Sequence, residues 1–266
     1  MQNHRLHFTT LSIGICLASV TAAVALPSLT AQARYGRLDI KDAEGEVVWQ
    51  CEGTFQGNNG NGLCIYDFPN RDPGTAYRFY RGQVKDGTFT GRGILVYAND
   101  DRYEGIFVNG RPQGKGMFLS VEENERYEGD FRNGFFHGRG VFTYANGDQY
   151  TGQFAGGQPH GIGEYVYLAN GKRSHAYKGQ FYLGIINGQG IVTNVEGLKC
   201  TGTFYSNRLV GKGTCTFPAK SIFKTYTGEL RDGRPEGRGT VIYRDGKKYA
   251  GQFRNGVPGL SPDTGS

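Results

Sequence analysis

Much of what builds an ordinary mixed core is scarce in this chain of 266 residues: it has two methionines, one tryptophan and five cysteines, and 20% of its residues are charged. No run of lysine and arginine occurs. The excess of 30 basic over 24 acidic side chains therefore lacks the density of a phosphate-binding patch, and nucleic acid is excluded as a partner. No Cys-x-x-Cys occurs either, and the few histidines are scattered, so neither a metal nor a cofactor is expected. Scarcity of charge also argues against disorder, because 35 aromatic residues accompany it. What is abundant is glycine, 44 residues, or about one in six. Each glycine inside a helix costs about 1 kcal/mol relative to alanine, so a helical protein is excluded.

Acidic residues are absent from Met1 to Ala33. That segment carries Arg5, an apolar run from Phe8 to Leu26 and a small-x-small end at Ala31-Gln32-Ala33, the parts of a secretory signal peptide. An uncleaved membrane anchor is the alternative, since the run approaches the roughly 20 residues that span a bilayer. Ile15 before Cys16 is too bulky for a lipoprotein signal. The expectation is an exported protein, periplasmic or secreted.

Self-similarity dominates the rest. Tyr-x-Gly triplets begin at Tyr80, Tyr103, Tyr127, Tyr150, Tyr177, Tyr226 and Tyr249, and Cys-x-Gly stands in at Cys51 and Cys200. Four of the eight intervals are 23 residues and the others are longer. Counting the Tyr or Cys as position 1, position 5 is Phe or aliphatic, and Gly-x-Gly occupies positions 12 and 14. Asn-Gly or Asp-Gly pairs such as Asn133-Gly134 and Asn146-Gly147 punctuate each unit, and these favour hairpin turns. Each unit is two short strands, and the array is an elongated single antiparallel β-meander of eight to nine hairpin repeats.

Antiparallel partners sum to a constant, so if position 1 faces 16, then 3 faces 14 and 5 faces 12. One sheet face then holds Tyr, Phe and the glycines, whose missing side chains leave troughs for the rings. The other is polar, with Asp130 opposite Arg139 and Glu229 opposite Arg238 as charge pairs. Cys200 and Cys215 fall on positions 1 and 16, and Cys51 and Cys64 are equivalent because that hairpin loop is two residues shorter. Facing cysteines in an exported chain imply disulfides Cys51–Cys64 and Cys200–Cys215.

The unit Tyr127-Glu-Gly-Asp-Phe131-Arg-Asn-Gly134-Phe-Phe-His-Gly138-Arg-Gly140 resembles the MORN (membrane occupation and recognition nexus) repeat, and the resemblance extends from 51 to about 256. It implies a scaffold or oligomerisation module, with a link to membranes and phosphoinositides. No catalytic domain accompanies the repeats, and no enzyme is expected.

Two surfaces are candidates for contact. Position 13 carries a row of cations, Arg92, Lys115, Arg139, Lys212 and Arg238, interrupted by Ile162 and Gln189. It is either a site for anionic lipid or envelope polymer or simply a solvated face. The aromatic face, with Tyr103, Phe107, Tyr127, Phe131, Tyr150, Phe154, Tyr177 and Phe181, is either internal packing or, where exposed, a surface for a protein partner or a second copy. Gly110 to Gly116 falls short of a phosphate loop, lacking one spacer and the Ser/Thr. His137 and His160 share position 11, about two strand spacings apart, and are read as turn residues. Residues 34–50 read as a capping hairpin and 257–266 as a disordered tail.

Overall fold

The structure, a computed structural model, describes residues 33–66 and 77–259. The expected signal peptide, residues 67–76 of the insertion before Tyr80 and the chain beyond residue 259 lie outside the described residues. All regular elements among the described residues are strands, and they divide into two compact units. The first holds β1 (Arg34–Lys41), β2 (Val47–Gln56), β3 (Asn59–Tyr66), β4 (Tyr77–Lys85), β5 (Thr88–Tyr97), β6 (Arg102–Val108), β7 (Arg111–Ser120), β8 (Glu125–Arg132) and β9 (Phe135–Thr143). The second holds β10 (Gln149–Ala155), β11 (Gln158–Ala169), β12 (Lys172–Tyr182), β13 (Ile185–Asn194), β14 (Lys199–Tyr205), β15 (Arg208–Thr216), β16 (Phe223–Arg231), β17 (Arg234–Tyr243), β18 (Lys248–Arg254) and β19 (Val257–Pro258). Within each unit every strand pairs antiparallel with its sequence neighbours, the expected all-β meander of hairpin repeats.

β1 pairs along β2, from Lys41↔Val47 to Arg34↔Phe55, so the second strand of the expected cap runs on into the first repeat. At the other end Val257 and Pro258 pair with Arg254 and Phe253. The start of the expected tail is thus a short strand.

The repeat hairpins turn on positions 7 and 8 in a two-residue loop. Except in the first repeat, where only Gly57 does, both residues have positive φ, as at Asn109 (49°) and Gly110 (73°), or Asn133 (52°) and Gly134 (87°). That is the geometry whose twist matches the flanking strands. Asn170-Gly171, between β11 and β12, likewise has both φ positive, but at Asn146-Gly147 the second Asn-Gly signal makes a different loop, in which only the glycine has positive φ. There a buried aspartate ties neighbouring loops together. Asp148 accepts from the Leu168 N–H at 2.7 Å, and Asp101 accepts from the Val121 N–H at 2.8 Å.

Register departs from the sequence arithmetic at one place. Tyr103 faces Phe118 and Gly105 faces Gly116 as expected, but Phe107 faces Pro112 instead of Gly114. A bulge inserts positions 12 and 13 into the second strand, and Gly114, at φ 65°, faces Phe131 of the next repeat. The same shift recurs after Gly82, Gly129, Gly152, Gly179, Gly202 and Gly228. The first repeat has two residues fewer and no bulge, so Phe55 pairs directly with Gly60. The glycine at position 12 therefore serves backbone conformation, whereas the one at position 14 makes room.

That room is filled by the position-1 ring. A Cβ on Gly116 would lie 2.6 Å from the Tyr103 ring, and one on Gly163 would lie 2.4 Å from that of Tyr150. The ring lies over the glycines, and its hydroxyl donates to the position-4 carbonyl beside the bulge: Tyr103 to Ile106 at 3.0 Å, Tyr127 to Asp130 at 2.8 Å. Phenylalanines close the sides. Tyr103 meets Phe107 edge-on at 5.1 Å and Phe131 of the next repeat at 4.7 Å, and Tyr150 meets Phe154 and Phe181 at 5.1 and 4.8 Å. Each such contact contributes about 0.5–1.5 kcal/mol beyond burial. Position 10 supplies a further buried layer, with Phe89, Pro112, Pro159, Ile186, Leu209 and Pro235. The core thus consists of one sheet face covered by its own side chains.

Both cysteine pairs are in register and bonded, Cys51–Cys64 and Cys200–Cys215. Losing the tyrosine there empties the trough, which Leu209 and Leu230 fill over Gly202 and Gly213.

Candidate interaction face

The aromatic face is closed. Tyr103, Phe107, Tyr127, Phe131, Tyr150, Phe154, Tyr177 and Phe181 are each at most 3% exposed, so a partner cannot reach them on the folded surface. Internal packing, one of the two roles considered for this face, consumes all eight rings. The tyrosine hydroxyls are buried too. Desolvation raises the pKa of Tyr80, Tyr103, Tyr127 and Tyr150 well above the ordinary phenol value, against the lowering effect of the backbone hydrogen bonds, and pushes Tyr177 up to about 12.

What remains for contact is the opposite face, made by positions 2, 4, 6, 9, 11, 13, 15 and 17. Position 4 is occupied locally. The side-chain oxygens of Asp130, Gln153 and Gln180 accept the position-13 backbone N–H groups of Arg139, Ile162 and Gln189 at 2.9, 2.8 and 2.7 Å. These bonds satisfy the bulge, which has left position 13 outside its own hairpin's ladder. The charge pairs expected within a hairpin are consequently different. Asp130 takes the Arg139 backbone N–H, and its ion pair is with Lys115 of the preceding repeat at 2.7 Å. Burial raises the Asp130 pKa, but the Lys115 hydrogen bond and the Arg139 N–H outweigh it and hold the carboxyl below its ordinary range. Glu229 faces Lys212 of the preceding repeat, and no ion pair joins it to Arg238 among the described residues.

All five cations of the row are exposed on this face. Arg92, Lys115 and Arg139 lie in the first unit, Lys212 and Arg238 in the second. Lys115 is neutralised by Asp130, whereas Arg92 and Arg139 make no ion pair among the described residues.

The same face carries apolar groups. In the first unit Leu63, Ile65, Leu119 and Val141 are exposed on β3, β7 and β9. Glu52, Glu104 and Glu128 on the intervening strands lie among them, and Arg102–Glu104 and Arg126–Glu128 ion pairs border Leu119 at 2.6 Å each. In the second unit the interruption of the cation row at Ile162 and Gln189 coincides with exposed Tyr182, Ile185 and Tyr205. A shallow groove of about 470 Å³ opens here, lined by His160, Ile162, Gln180, Tyr182 and Asn187. The His160 and Tyr182 rings lie 5.5 Å apart. Positions 6 and 9 flank the turn and alternate away from the buried Phe at position 5. That alternation was the signal that could have placed Tyr182 and Tyr205 on the open face. Away from this face, Ser174 touches the Nδ1 of adjacent His175 at 2.8 Å and donates to the Tyr167 carbonyl, while burial lowers the imidazole pKa.

No curated protein matches the chain. Among solved structures it is similar to the TCP domain of Drosophila melanogaster SAS-4 (dCPAP) in complex with a proline-rich motif of Ana2. That match has 12% identity and a TM-score of 0.32, over 86% of this chain and 99% of that one. It is also matched by catalytically inactive H270A virginiamycin B lyase of Staphylococcus aureus with quinupristin, at 10% identity and a TM-score of 0.16, over 84% and 70% of the two chains. Neither alignment superposes well enough to carry an argument. The MORN repeat model matches residues 51–72, 80–102, 103–122, 127–149, 150–167, 177–198, 200–221, 226–248 and 249–259. With nine matches over most of its length and the repeat's glycine, tyrosine and phenylalanine in their structural places, the chain belongs to the MORN repeat family.

Proposed function

We propose that the protein is a non-enzymatic scaffold of an exported compartment that binds a protein partner across the open face of its sheet. MORN repeats serve protein or membrane interaction in general, and the specific reading goes further. One observation carries it: the aromatic face is spent on the protein's own core, while Leu63, Ile65, Leu119 and Val141 stay exposed on the other face among charged side chains. An apolar centre with a polar rim is the anatomy of a protein interface. Two disulfides and the signal-like N-terminus support an oxidising, exported setting. A photo-crosslinking amino acid placed at Leu119 or Val141 in cells tests the reading. One discrete adduct from both positions, and none from a control in the Asn109-Gly110 turn, is expected. No adduct at either position contradicts it.

The free guanidinium groups of Arg92 and Arg139 favour a second reading, peripheral binding of anionic phospholipid or envelope polymer. Flotation with phosphatidylserine or phosphoinositide vesicles tests it. Salt-sensitive binding that is lost in the triple variant Arg92→Glu, Lys115→Glu, Arg139→Glu supports the reading, and absence of flotation counts against it.

A further inference from the structure

The first unit ends in a bare edge. Among the described residues β1 pairs with β2 alone, so its eight residues turn one side of their backbone to solvent. An unpaired edge of that length is a template for another strand, and proteins usually blunt one with proline, a bulge or a covering segment. Among the described residues β1 has none of these. It contains no proline, and the register shift past Ile40 places the extra residue, Val48, in β2, so β1 itself stays regular. The last strands of the second unit are treated differently. There β19 pairs with Arg254 and Phe253, the Gly259 N–H donates to the Gln252 carbonyl at 2.7 Å, and the Tyr249 hydroxyl donates to the Gly259 carbonyl at 2.8 Å.

We propose that β1 is a homodimerisation strand, pairing antiparallel with β1 of a second copy about a twofold axis normal to the sheet. Such an interface is isologous, so the strand must complement itself. Two free edges of this kind meet only when both copies show the same face, and a residue of the polar face then meets one of the polar face. The backbone groups are set for this. Cys51 and Cys64 are a close pair, 3.8 Å apart at Cα, the kind that exchanges no hydrogen bonds. By alternation Cys51 turns its N–H and C=O toward Leu38, its partner on β1, and the outward N–H and C=O groups of β1 belong to Tyr35, Arg37 and Asp39. In the register centred on Leu38, Leu38 faces Leu38 of the second copy, Arg37 faces Asp39, Gly36 faces Ile40 and Tyr35 faces Lys41. Slipping by two residues in either direction sets Arg37 against Arg37 or Asp39 against Asp39. Of the registers that engage most of the strand, only the central one is complementary in charge. Arg37 already pairs with Asp39 of its own strand at 3.0 Å and faces Glu52 on β2, so the second copy's Asp39 completes an alternating cluster. Tyr35, 77% exposed, receives the Lys41 ammonium beside its ring. Gly36 fits the same junction. A Cβ there would meet nothing within 4 Å, so its own chain does not require glycine, whereas a glycine within a strand suits close approach of another backbone. The interface lies on the edge of β1 and leaves the apolar groups of β3, β7 and β9 free, so it does not depend on the protein-contact reading.

Sedimentation velocity of the full exported chain, disulfides intact, tests it. A single strand pair is a small interface, so a monomer–dimer equilibrium in the micromolar range is expected. Asp39→Arg sets like charges opposite each other across the axis, while its neighbour on β2 is the neutral Gln50, so β1 stays paired within its own chain. The dimer dissociation constant should rise at least tenfold, with the melting temperature of the monomer unchanged. Arg37→Asp should weaken the dimer by a similar factor. An equimolar mixture of the two variants places opposite charges at both facing pairs and should dimerise as tightly as the unaltered chain, a rescue that misfolding cannot imitate. A chain that stays monomeric throughout the micromolar range overturns the proposal. So does a dimer that both single variants retain, or a mixture that associates as weakly as its components.

Discussion

At position 14 of each complete tyrosine repeat a glycine supports a phenol ring, and nothing larger fits. Gly163 shows the constraint, since a Cβ there would come within 2.4 Å of the Tyr150 ring and that ring is held by a 2.8 Å bond to the Gln153 carbonyl. Gly163→Ala must therefore lift the ring and break the bond. Overpacking of a filled core costs about 1–3 kcal/mol, and the lowered melting temperature should be accompanied by increased tyrosine exposure. Gly157→Ala provides a contrast, because its penalty arises from backbone conformation at φ 84° with no side-chain clash. The trough was legible in the sequence because tyrosine and glycine recur at fixed offsets. The bulge was not, because pairing arithmetic assumes one residue against one. Its signals were the positive-φ glycine at position 12 and the amide or carboxylate at position 4. Where position 4 is Ile106 or Thr203 that local bond is missing, so neither signal is complete in every repeat.

At the scale of the hairpin, the turn sequence and the disulfide decide local stability. Leu183 sits at φ 48° ahead of Gly184, where five other repeats have asparagine or aspartate (Asp86, Asn109, Asn133, Asp232 and Asn255). A left-handed conformation costs an ordinary side chain about 1–2 kcal/mol. Leu183→Asn should raise the melting temperature without altering the circular dichroism spectrum. The Cys200–Cys215 hairpin has given up its tyrosine and gains a covalent clip. Closing a loop of about 15 residues is worth about 3 kcal/mol in the chain-entropy model, and Cys200→Ser with Cys215→Ser should lower stability by that order in denaturant titration. The pairing was readable from the sequence because both cysteines fall on facing positions next to the 3-to-14 glycine pair, on the bulge-free side. The face available for contact was not. Alternation gives two faces but does not say that rings at positions 1, 5 and 10 will cover one of them completely.

Over the whole molecule, the core is a succession of neutral phenols. Tyr80, Tyr103, Tyr127, Tyr150, Tyr177 and Tyr226 all have pKa values raised by burial. The folded chain keeps their protons while the unfolded chain releases them near pH 10, so the unfolded state binds fewer protons above that point. Their contribution is complete below pH 10 and declines from there as pH rises through the folded values. Phenolate absorbance of these rings should appear together with the loss of β-structure. Independent titration of all tyrosines with the fold intact would argue against a shared buried core.

Chemical modification of tyrosine, mapped by peptide mass spectrometry, tests the central claim that one sheet face is sealed and the other open. With N-acetylimidazole at neutral pH the folded protein should be acetylated at Tyr182 and Tyr205, and Tyr103, Tyr127, Tyr150 and Tyr177 should be protected until denaturant is added. Acetylation of those four in the folded chain at the rate of Tyr205 would contradict the account.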